Sequence, residues 1–254
     1  MSTLTIWGEL VACHTASEIA DVAAKRIAAA IEAKLRTQAL VSIALSGGTT
    51  PRETYSRLAA AKHVDWSRVL FFWVDERAVP TSDSRSNYHM VDEALLQRVP
   101  VHRNQVARMQ AEQSDLKGAA TSYEMLLRER VALSVNNVPQ LDILTLGVGA
   151  DGHTASLFPN DPALLEQHAL VTAVPPAAGR EARLTLTFPM LLNAAAVFVL
   201  ASGVEKNRAL ERAWAAHGDD CETPLRALRN ARGATTWIID RAAGGLRVNR
   251  SDER

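Results

Sequence analysis

Residues 141–159 have the sequence LDILTLGVGADGHTASLFP, in which an apolar run leads directly into a loop with three glycines. The apolar run, residues 141–146, predicts a buried β-strand. Glycines let the backbone turn sharply and approach a ligand closely. Asp151 and His153 lie in this turn, two residues apart. Because α/β enzymes commonly carry reactive groups in loops after buried strands, we expect a reactive site here rather than a plain turn with a solvated histidine.

Composition and charge argue against several classes of protein. The chain has 254 residues, and 28 Lys and Arg balance 28 Asp and Glu, so there is no basic excess of the kind that favours nucleic acid. No apolar run is long enough to span a bilayer, and we see no secretory signal. Cys13 and Cys221 are isolated in the sequence, which is typical of a reducing compartment. We therefore expect one cytoplasmic domain over residues 1–254 that contacts neither nucleic acid nor membrane.

Apolar runs of strand length alternate with amphipathic segments along the whole chain. This alternation predicts an α/β fold with a doubly wound, mostly parallel sheet and helices on both faces. The predicted strands are residues 4–11, 41–45, 69–74, 106–109, 141–146, 171–174, 184–187, 197–201 and 235–239. The predicted helices are residues 16–36, 51–61, 87–97, 115–134 and 206–217. Such sheets bind ligands at the carboxyl ends of their strands, so the loops after strands carry the candidate site.

The turn at residues 46–51, Ser-Gly-Gly-Thr-Thr-Pro, follows the predicted strand 41–45. A glycine-rich turn that leads into a helix presents backbone N–H groups at the positive end of the helix dipole, and its hydroxyls add donors. We expect a phosphate site formed by Ser46, Gly47, Gly48, Thr49 and Thr50. Thr50 is the predicted N-cap, with Pro51 at the first helical position and Glu53 completing a capping box. The alternative is an ordinary strand-to-helix turn.

Charged and polar groups follow or open further strands. Asp75 and Arg77 follow the predicted strand 69–74, where a carboxylate can bind sugar hydroxyls or orient a base and a guanidinium can bind phosphate. The alternative for this pair is a solvated cluster with an internal ion pair. Asn87 lies at a predicted helix start, where it either binds a ligand or caps the helix. Arg183 and Lys206 become candidate phosphate ligands because the turn at residues 46–50 already suggests an anion.

These loops, in this order, resemble those of the 6-phosphogluconolactonase family. The matching segments are residues 45–51, 74–80, 86–88, 147–159, 183–187 and 203–206, so the resemblance extends over nearly the whole chain. Its most specific part is the pattern Gly-x-Asp-Gly-His-x-Ala-Ser-Leu-Phe-Pro at residues 149–159. The resemblance implies hydrolysis of 6-phospho-D-glucono-1,5-lactone to 6-phosphogluconate in the oxidative pentose phosphate pathway, without a cofactor. We expect a monomer or a weak homodimer.

The chain is similar, more distantly, to glucosamine-6-phosphate deaminase, which shares the fold. In that family the Asp-Gly-His loop continues to a glutamate that assists ring opening, whereas residues 156–159 here contain no carboxylate. This difference favours the lactonase over an isomerase or deaminase. A third alternative is a sugar-phosphate-sensing regulator with an N-terminal pair of DNA-binding helices. A first strand expected from residue 4 leaves no room for such a pair.

The expected chemistry is attack by an activated water. No set of His, Cys and carboxylates has the spacing of metal ligands, and no Gly-x-Ser-x-Gly elbow is present, so we predict neither a metal nor a serine nucleophile. A free imidazole has a pKa of about 6.5 and is largely neutral at pH 7, so His153 is the predicted base. Asp151 either orients His153, with Gly152 providing the sharp turn, or contacts the sugar. Backbone N–H groups of this loop are the expected oxyanion donors. Arg183 and Lys206, with Arg77 as a further candidate, are expected to bind the phosphate together with residues 46–50.

Overall fold

Strands and helices alternate along the chain in the computed structural model, which describes residues 5–177 and 179–245. The strands are β1 (Glu9–Cys13), β2 (Val41–Leu45), β3 (Val69–Trp73), β4 (Asp75–Arg77), β5 (Ile143–Gly147), β6 (Val171–Val174), β7 (Arg183–Leu186), β8 (Ala196–Ala201) and β9 (Ala234–Asp240). The helices are α1 (Ala16–Leu35), α2 (Thr49–Leu58), α3 (Asn87–Ala94), α4 (Leu116–Arg130), α5 (Phe188–Leu191), α6 (Asn207–Trp214) and α7 (Arg241–Gly244). Short 3-10 turns, among them Val204–Lys206 and Pro224–Asn230, join some of these elements.

Six strands form one parallel sheet in the order β1-β9-β8-β5-β2-β3. From β2 the chain proceeds to β3 on one side, whereas β5 is followed by β8 and β9 on the other side. The carboxyl ends of β2 and β5 therefore flank the point where the direction of winding reverses. Open α/β sheets bind ligands at this point. The predicted fold class, a doubly wound and mostly parallel sheet, is confirmed.

Apolar side chains cover both faces of this sheet. All five residues of β2 are buried, as expected for a strand in the middle of a parallel sheet. α1 packs through a stripe at a spacing of four residues, in which Ile19, Ala23, Ile27 and Ile31 are fully buried. Within the described residues, no helix combines the length and apolar character needed to cross a membrane.

A separate antiparallel sheet has the strand order β4-β7-β6. β4 begins at Asp75, two residues after β3 ends, and Arg77 of β4 is directly opposite Arg183 of β7. The sequence predicts β6 and β7 as strands but not their separation from the main sheet, because alternating side chains do not specify which strand a segment pairs with. This small sheet matters for function because it carries three candidate site residues: Asp75, Arg77 and Arg183.

Most predicted elements lie within two residues of the observed ones, with six exceptions. β1 begins at Glu9 instead of residue 4, which lies outside the described residues. The predicted strand 106–109 is only a single bridge between Val106 and Phe71. α3, α4 and α6 end three or four residues earlier than predicted, and α2 lies two to three residues earlier. Helix ends are set by capping and tertiary contacts that hydrophobic periodicity does not encode. The charged segment 247–254 lies outside the described residues.

Candidate active site

A cleft of about 590 Å³ opens at the carboxyl ends of β2, β5 and β8, beside the point where the winding reverses. It is lined by most of the residues singled out from the sequence: Ser46, Gly47, Gly48, Thr49, Thr50, Asp75, Arg77, Asn87, His153, Arg183 and Lys206. Asp151 and Gly152 do not line the cleft, but they belong to the turn that carries His153. The structure therefore brings the glycine turn after β2 and the imidazole after β5 to one place.

The turn at residues 149–153 holds His153 through hydrogen bonds of its own. Oδ1 of Asp151 lies 2.7 Å from Nδ1 of His153 and accepts the backbone N–H of His153 at 3.0 Å. Gly152 has a φ of +98°, a conformation that side-chain-bearing residues rarely adopt. Because an ionised carboxylate only accepts, Nδ1 carries the ring proton and Nε2 keeps its lone pair. Of the two expected roles for Asp151, this geometry favours orientation of the imidazole.

Asp151 is ionised throughout the physiological range. Burial raises the pKa of Asp151, but the hydrogen bonds from the ring and backbone of His153 outweigh burial and lower the pKa from 3.8 to about 2. On the other side of the imidazole, Phe158 packs against His153 with ring centroids 4.6 Å apart. The guanidinium of Arg180 in turn lies 3.7 Å from the centroid of the Phe158 ring. His153 is thus fixed at one ring nitrogen and by ring packing.

The backbone N–H groups of this turn are largely used within it. Gly149 donates to the carbonyl of His153 at 2.9 Å, and Gly152 donates to the carbonyl of Gly149 at 3.0 Å. The N–H of His153 is bonded to Asp151. The expectation that the loop supplies oxyanion donors is therefore wrong for these three groups, which would have to break a bond to act. The sequence indicates a sharp turn but does not specify which N–H groups that turn uses internally.

The turn at residues 46–50 ends in the first turn of α2. Gly48 is the N-cap, with a φ of +109°, and no side chain caps the helix. The N–H groups of Thr49 and Thr50 have no acceptor within the helix, because no earlier helical carbonyl exists for them. The prediction that Thr50 is the N-cap is wrong, and Glu53 pairs with Arg57 at 2.8 Å instead of completing a capping box. The result is an open helix N-terminus at the cleft, which favours an anion.

Ser46 and Gly47 fix the turn through contacts on the side that faces the protein interior. The N–H of Ser46 donates to the hydroxyls of Tyr55 and Thr145 at 3.0 and 3.1 Å, so this N–H is committed to the protein rather than to a ligand. Burial raises the pKa of Tyr55 to about 12, which keeps its hydroxyl protonated. A Cβ on Gly47 would lie 1.8 Å from Oδ1 of Asn87. Only glycine therefore fits between the turn and α3.

Asp75 is the buried centre of a network that fixes one cation. Its Oδ2 accepts the hydroxyl of Ser156 at 2.6 Å, and its Oδ1 accepts the amide of Asn87 at 3.1 Å. Nη1 of Arg183 lies 3.7 Å from the same Oδ2 and donates to the hydroxyl of Ser156 at 3.3 Å. Asp75 is only 4% exposed, and both of its carboxylate oxygens are engaged. This geometry favours positioning of neighbouring groups over the solvated cluster that was the alternative.

Glu76 and Ser86 hold the start of α3 behind the cleft. The Ser86 side chain is the N-cap of α3, so the alternative that Asn87 caps the helix is wrong. The buried carboxylate of Glu76 accepts the N–H groups of Asn87 and Tyr88, each at 2.7 Å, and the hydroxyl of Ser86 at 3.0 Å. Burial raises the pKa of Glu76, and these hydrogen bonds act in the opposite direction. The side-chain amide of Asn87 is therefore available to donate to the carboxylate of Asp75.

Two arginines face each other at the wall of the cleft. Arg77 and Arg183 are directly opposite in the β4–β7 ladder, an unfavourable arrangement for like charges. The Nε of each is buried without a hydrogen-bond partner among the described residues. Burial lowers the pKa of Arg183, Asp75 counteracts this effect, and Arg77 adds to it. An anion bound in the cleft would reduce the repulsion between the two guanidiniums.

Lys206 reaches the cleft from the other side, after β8. Its ammonium lies 3.9 Å from Oε1 of Glu205, whose side chain is 58% exposed. Such an exposed pair contributes only about 0–1 kcal/mol, so Glu205 leaves Lys206 available to a ligand. Lys206 follows β8 of the main sheet, whereas Arg183 lies on β7 of the separate sheet, and both side chains line the cleft with the turn at residues 46–50.

Several residues that support the site were missed in the sequence. Ser156 and Phe158 lie within the motif at residues 149–159, and their fixed distance from His153 is a signal that could have singled them out. Arg180 lies near Arg183 but carried no signal of its own. Arg212 donates to the backbone carbonyl of Asp151 at 2.8 Å from 61 positions away, a contact that no local pattern indicates.

A family model for glucosamine-6-phosphate isomerases/6-phosphogluconolactonase matches residues 14–237. The chain belongs to this family. It is 35% identical over 224 residues to the 6-phosphogluconolactonase of Treponema pallidum, covering 87% of this chain and 91% of that protein. It is 36% identical over 231 residues to the 6-phosphogluconolactonase of Mycobacterium tuberculosis, with the same coverage of 87% and 91%.

Solved structures share the fold. The 6-phosphogluconolactonase from Trypanosoma brucei matches with a TM-score of 0.86 at 28% identity, covering 97% of this chain and 100% of that chain. A monomeric glucosamine-6-phosphate deaminase matches with a TM-score of 0.78 at 21% identity, covering 94% and 100%, and at that identity it supports the fold alone. The resemblance to 6-phosphogluconolactonases and the fold shared with the deaminase are confirmed.

Proposed function

We propose that this chain hydrolyses 6-phospho-D-glucono-1,5-lactone to 6-phospho-D-gluconate, a step of the oxidative pentose phosphate pathway. The observation that carries the proposal is that the Asp151–His153 pair and the open N-terminus of α2 share one cleft. Relatives named 6-phosphogluconolactonase, at 35 and 36% identity, support it further. No cofactor is required by this chemistry. Within the described residues, no three His, Cys, Asp or Glu side chains are grouped to hold a metal ion.

The imidazole of His153 acts as the base. Its Nε2 accepts a proton from water as the water oxygen attacks C1 of the lactone, and the former carbonyl oxygen takes the negative charge. When the tetrahedral intermediate collapses, the bond between C1 and the ring oxygen breaks, and the imidazolium returns its proton to that oxygen. The carboxylic acid product ionises near pH 7, so each turnover releases one proton. A positioned base of this kind contributes roughly 10²- to 10⁴-fold in rate.

Asp151 stabilises the charge that develops on the imidazole of His153. The carboxylate of Asp151, 2.7 Å from Nδ1, holds the reactive tautomer and stabilises the imidazolium. The loop N–H groups of Gly149 and Gly152 are already bonded within the turn. The donors to the oxyanion must therefore be groups other than these two N–H groups. A preorganised donor to such an oxyanion is worth on the order of 3 kcal/mol.

The phosphate of the substrate binds at the turn after β2. The N–H groups of Thr49 and Thr50 and the hydroxyl of Ser46 donate to it, while Gly47 and Gly48 let the backbone approach. Lys206 and Arg183 line the same cleft, and Arg77 adds charge beside Arg183. Several donors acting together in a partly buried cleft are needed for affinity, because one exposed ion pair contributes only about 0–1 kcal/mol.

We also propose that residues 1–254 form one cytoplasmic domain that works as a monomer or weak homodimer and binds neither nucleic acid nor membrane. Cys13 and Cys221 are free thiols, which supports a reducing compartment. Light scattering behind a sizing column at several protein concentrations tests the oligomeric state. A stable tetramer would contradict it.

The activity is tested by a proton-release assay with freshly generated 6-phosphogluconolactone, corrected for spontaneous hydrolysis. The expected result is release of one proton per lactone, at a rate proportional to enzyme concentration. The same preparation is assayed for ammonia release from glucosamine 6-phosphate. Ammonia release without lactone hydrolysis would replace the lactonase with the deaminase alternative.

A further inference from the structure

The helix that follows Lys206 also reaches the turn that carries His153. The 3-10 turn Val204–Lys206 continues without a break into α6, so Lys206 stands at the N-cap of that helix. Near its other end, α6 carries Arg212. Nη2 of Arg212 donates to the backbone carbonyl of Asp151 at 2.8 Å. One helix therefore contacts both the proposed phosphate site and the catalytic turn.

Arg212 is held in place by its own neighbours. Its Nε donates to the hydroxyl of Thr223 at 3.2 Å. Its backbone carbonyl accepts Nη1 of the buried Arg226 at 3.3 Å. The same α6 buries Trp214, which packs edge-on against Trp237 with ring centroids 5.4 Å apart. Both the helix and the guanidinium of Arg212 are therefore held by contacts with other parts of the protein.

Residues 223–225 also contact the turn, at Gly152. The N–H of Leu225 donates to the carbonyl of Gly152 at 3.0 Å. A Cβ added to Gly152 would lie 3.0 Å from Cγ2 of Thr223 and 3.5 Å from Nη2 of Arg212. The two consecutive carbonyls of Asp151 and Gly152 are therefore both anchored from outside the turn, in the segment where the backbone has its positive φ.

We propose that Arg212 is a positioning residue for the catalytic turn: it fixes the carbonyl of Asp151 and thereby the placement of the Asp151–His153 pair. This inference rests on the proposed lactonase function of the same site. Arg212 does not line the cleft and does not touch substrate, so its effect falls on the geometry of the base and not on binding. The guanidinium is suited to this role because its planar fork serves two acceptors, the Asp151 carbonyl and the Thr223 hydroxyl, which one ammonium cannot reproduce.

The first test compares steady-state constants of Arg212→Met and Arg212→Lys with those of the wild type on 6-phosphogluconolactone. We expect kcat to fall about tenfold in Arg212→Met, because misplacing a catalytic group by about 1 Å can cost on the order of 100-fold in rate. Arg212→Lys should retain an intermediate kcat. KM should stay within about twofold of the wild type, because Arg212 does not contact the substrate. Lys206, the proposed phosphate ligand, precedes the same helix, so a larger rise in KM would indicate that the helix itself had moved.

Arg208 supplies the matched control. It lies one helical turn before Arg212 on α6, is also exposed, and makes none of these contacts. Arg208→Met should leave both constants unchanged. An unchanged kcat in Arg212→Met, or a rise in KM that accounts for the whole loss of kcat/KM, overturns the proposal. The second result would mean that α6 itself had shifted.

A spectroscopic arm separates failure of this inference from failure of the proposed function. In the wild type, the Nδ1 proton shared with Asp151 should give a downfield proton resonance that disappears in His153→Ala. In Arg212→Met that resonance should broaden or shift, while Arg208→Met leaves it in place. A wild type without lactonase activity rejects the proposed function alone. An unperturbed resonance in Arg212→Met rejects the positioning role, whatever the enzyme hydrolyses.

Discussion

Two glycine-rich turns at the same edge of the sheet present opposite kinds of chemistry. The turn after β2 offers backbone: Gly48 caps α2 without a side-chain bond, and the N–H groups of Thr49 and Thr50 have no helical acceptor. The turn after β5 uses the N–H groups of Gly149, Gly152 and His153 internally and offers a side chain, the imidazole of His153. Fixed backbone dipoles suit a group whose charge stays the same, such as a phosphate. An imidazole suits a step in which a proton is taken and returned.

The difference follows from what comes after each turn. Pro51 lies in the first turn of α2, a position where its missing N–H costs nothing, so the first turn opens directly into a helix dipole. After His153 no helix begins. Thr154 and Leu157 form a single bridge, and Ala155 between them has a φ of +51°, a strained conformation for alanine. Glycine content alone therefore does not decide whether a turn binds through backbone or through side chains.

The largest expected effect comes from removing the side chain that the second turn presents. His153→Ala should lower kcat by about 10³-fold, within the range contributed by a positioned base. Affinity for 6-phosphogluconate, measured by calorimetry, should change by less than about threefold, because the phosphate turn is untouched. His63→Ala is the control, since His63 is exposed and lies outside the cleft. An unchanged turnover in His153→Ala would remove the base from the mechanism.

The next effect comes from the cations beside the first turn. Lys206→Met and Arg183→Met should each raise KM for the phosphorylated lactone about 10- to 100-fold, because a charge-assisted hydrogen bond is worth about 1.5–3 kcal/mol. Steady-state kinetics with the phosphorylated lactone and with D-glucono-1,5-lactone check this. The unphosphorylated lactone should be nearly insensitive to Lys206→Met. Equal sensitivity of both lactones would show that Lys206 does not recognise the phosphate.

Ser156 follows the turn that carries His153 and contacts Arg183, so removing its hydroxyl tests how the two regions are connected. Ser156→Ala deletes the hydroxyl that donates to Asp75 at 2.6 Å and accepts from Arg183. We expect KM to rise about fivefold through a displaced Arg183, with a loss of roughly 1 kcal/mol in the free energy of unfolding. Ser42→Ala is matched, because Ser42 makes a buried hydrogen bond of 2.9 Å to Asp142 outside the cleft. The account is wrong on this point if Ser42→Ala raises KM as much.

The smallest expected effect is the pH dependence of stability at Asp151. The pKa of Asp151 is lowered from 3.8 to about 2 in the folded protein, so its ionised form stabilises the fold above about pH 4. That contribution should be lost as the pH falls from about 4 to about 2. Urea denaturation of the wild type and of Asp151→Asn over this range measures it. A stability difference that stays constant with pH would show that the carboxylate gains nothing from His153.

Much of the site could be predicted from the sequence because its key residues lie next to buried strands. A run such as residues 41–45 or 141–146 identifies a strand, and the parallel sheet then carries the following loops to one edge. The positions of His153, Gly48 and Lys206 near one cleft follow from that geometry. The two-residue separation of Asp151 and His153 likewise made their contact foreseeable once Gly152 permitted the turn.

What the sequence did not reveal depends on contacts between distant segments. The pairing of β4 with β7, which places Arg77 opposite Arg183, is chosen by tertiary packing. The N-cap of α2 falls on Gly48 although Thr50 has the better capping side chain, because the turn itself fixes where the helix begins. Arg212 meets Asp151 across 61 positions. Internal hydrogen bonds of the turn at residues 149–153 depend on its dihedral angles, which composition does not specify.

The most direct test is a crystal structure of the complex with 6-phosphogluconate. The central claim is that the two turns bind the two ends of one molecule. We expect the phosphate within hydrogen-bond distance of the N–H groups of Thr49 and Thr50, flanked by Lys206 and Arg183. The carboxylate, formed from C1 of the lactone, should lie beside Nε2 of His153. A phosphate bound away from the first turn of α2, or a carboxylate directed away from His153, would contradict the account.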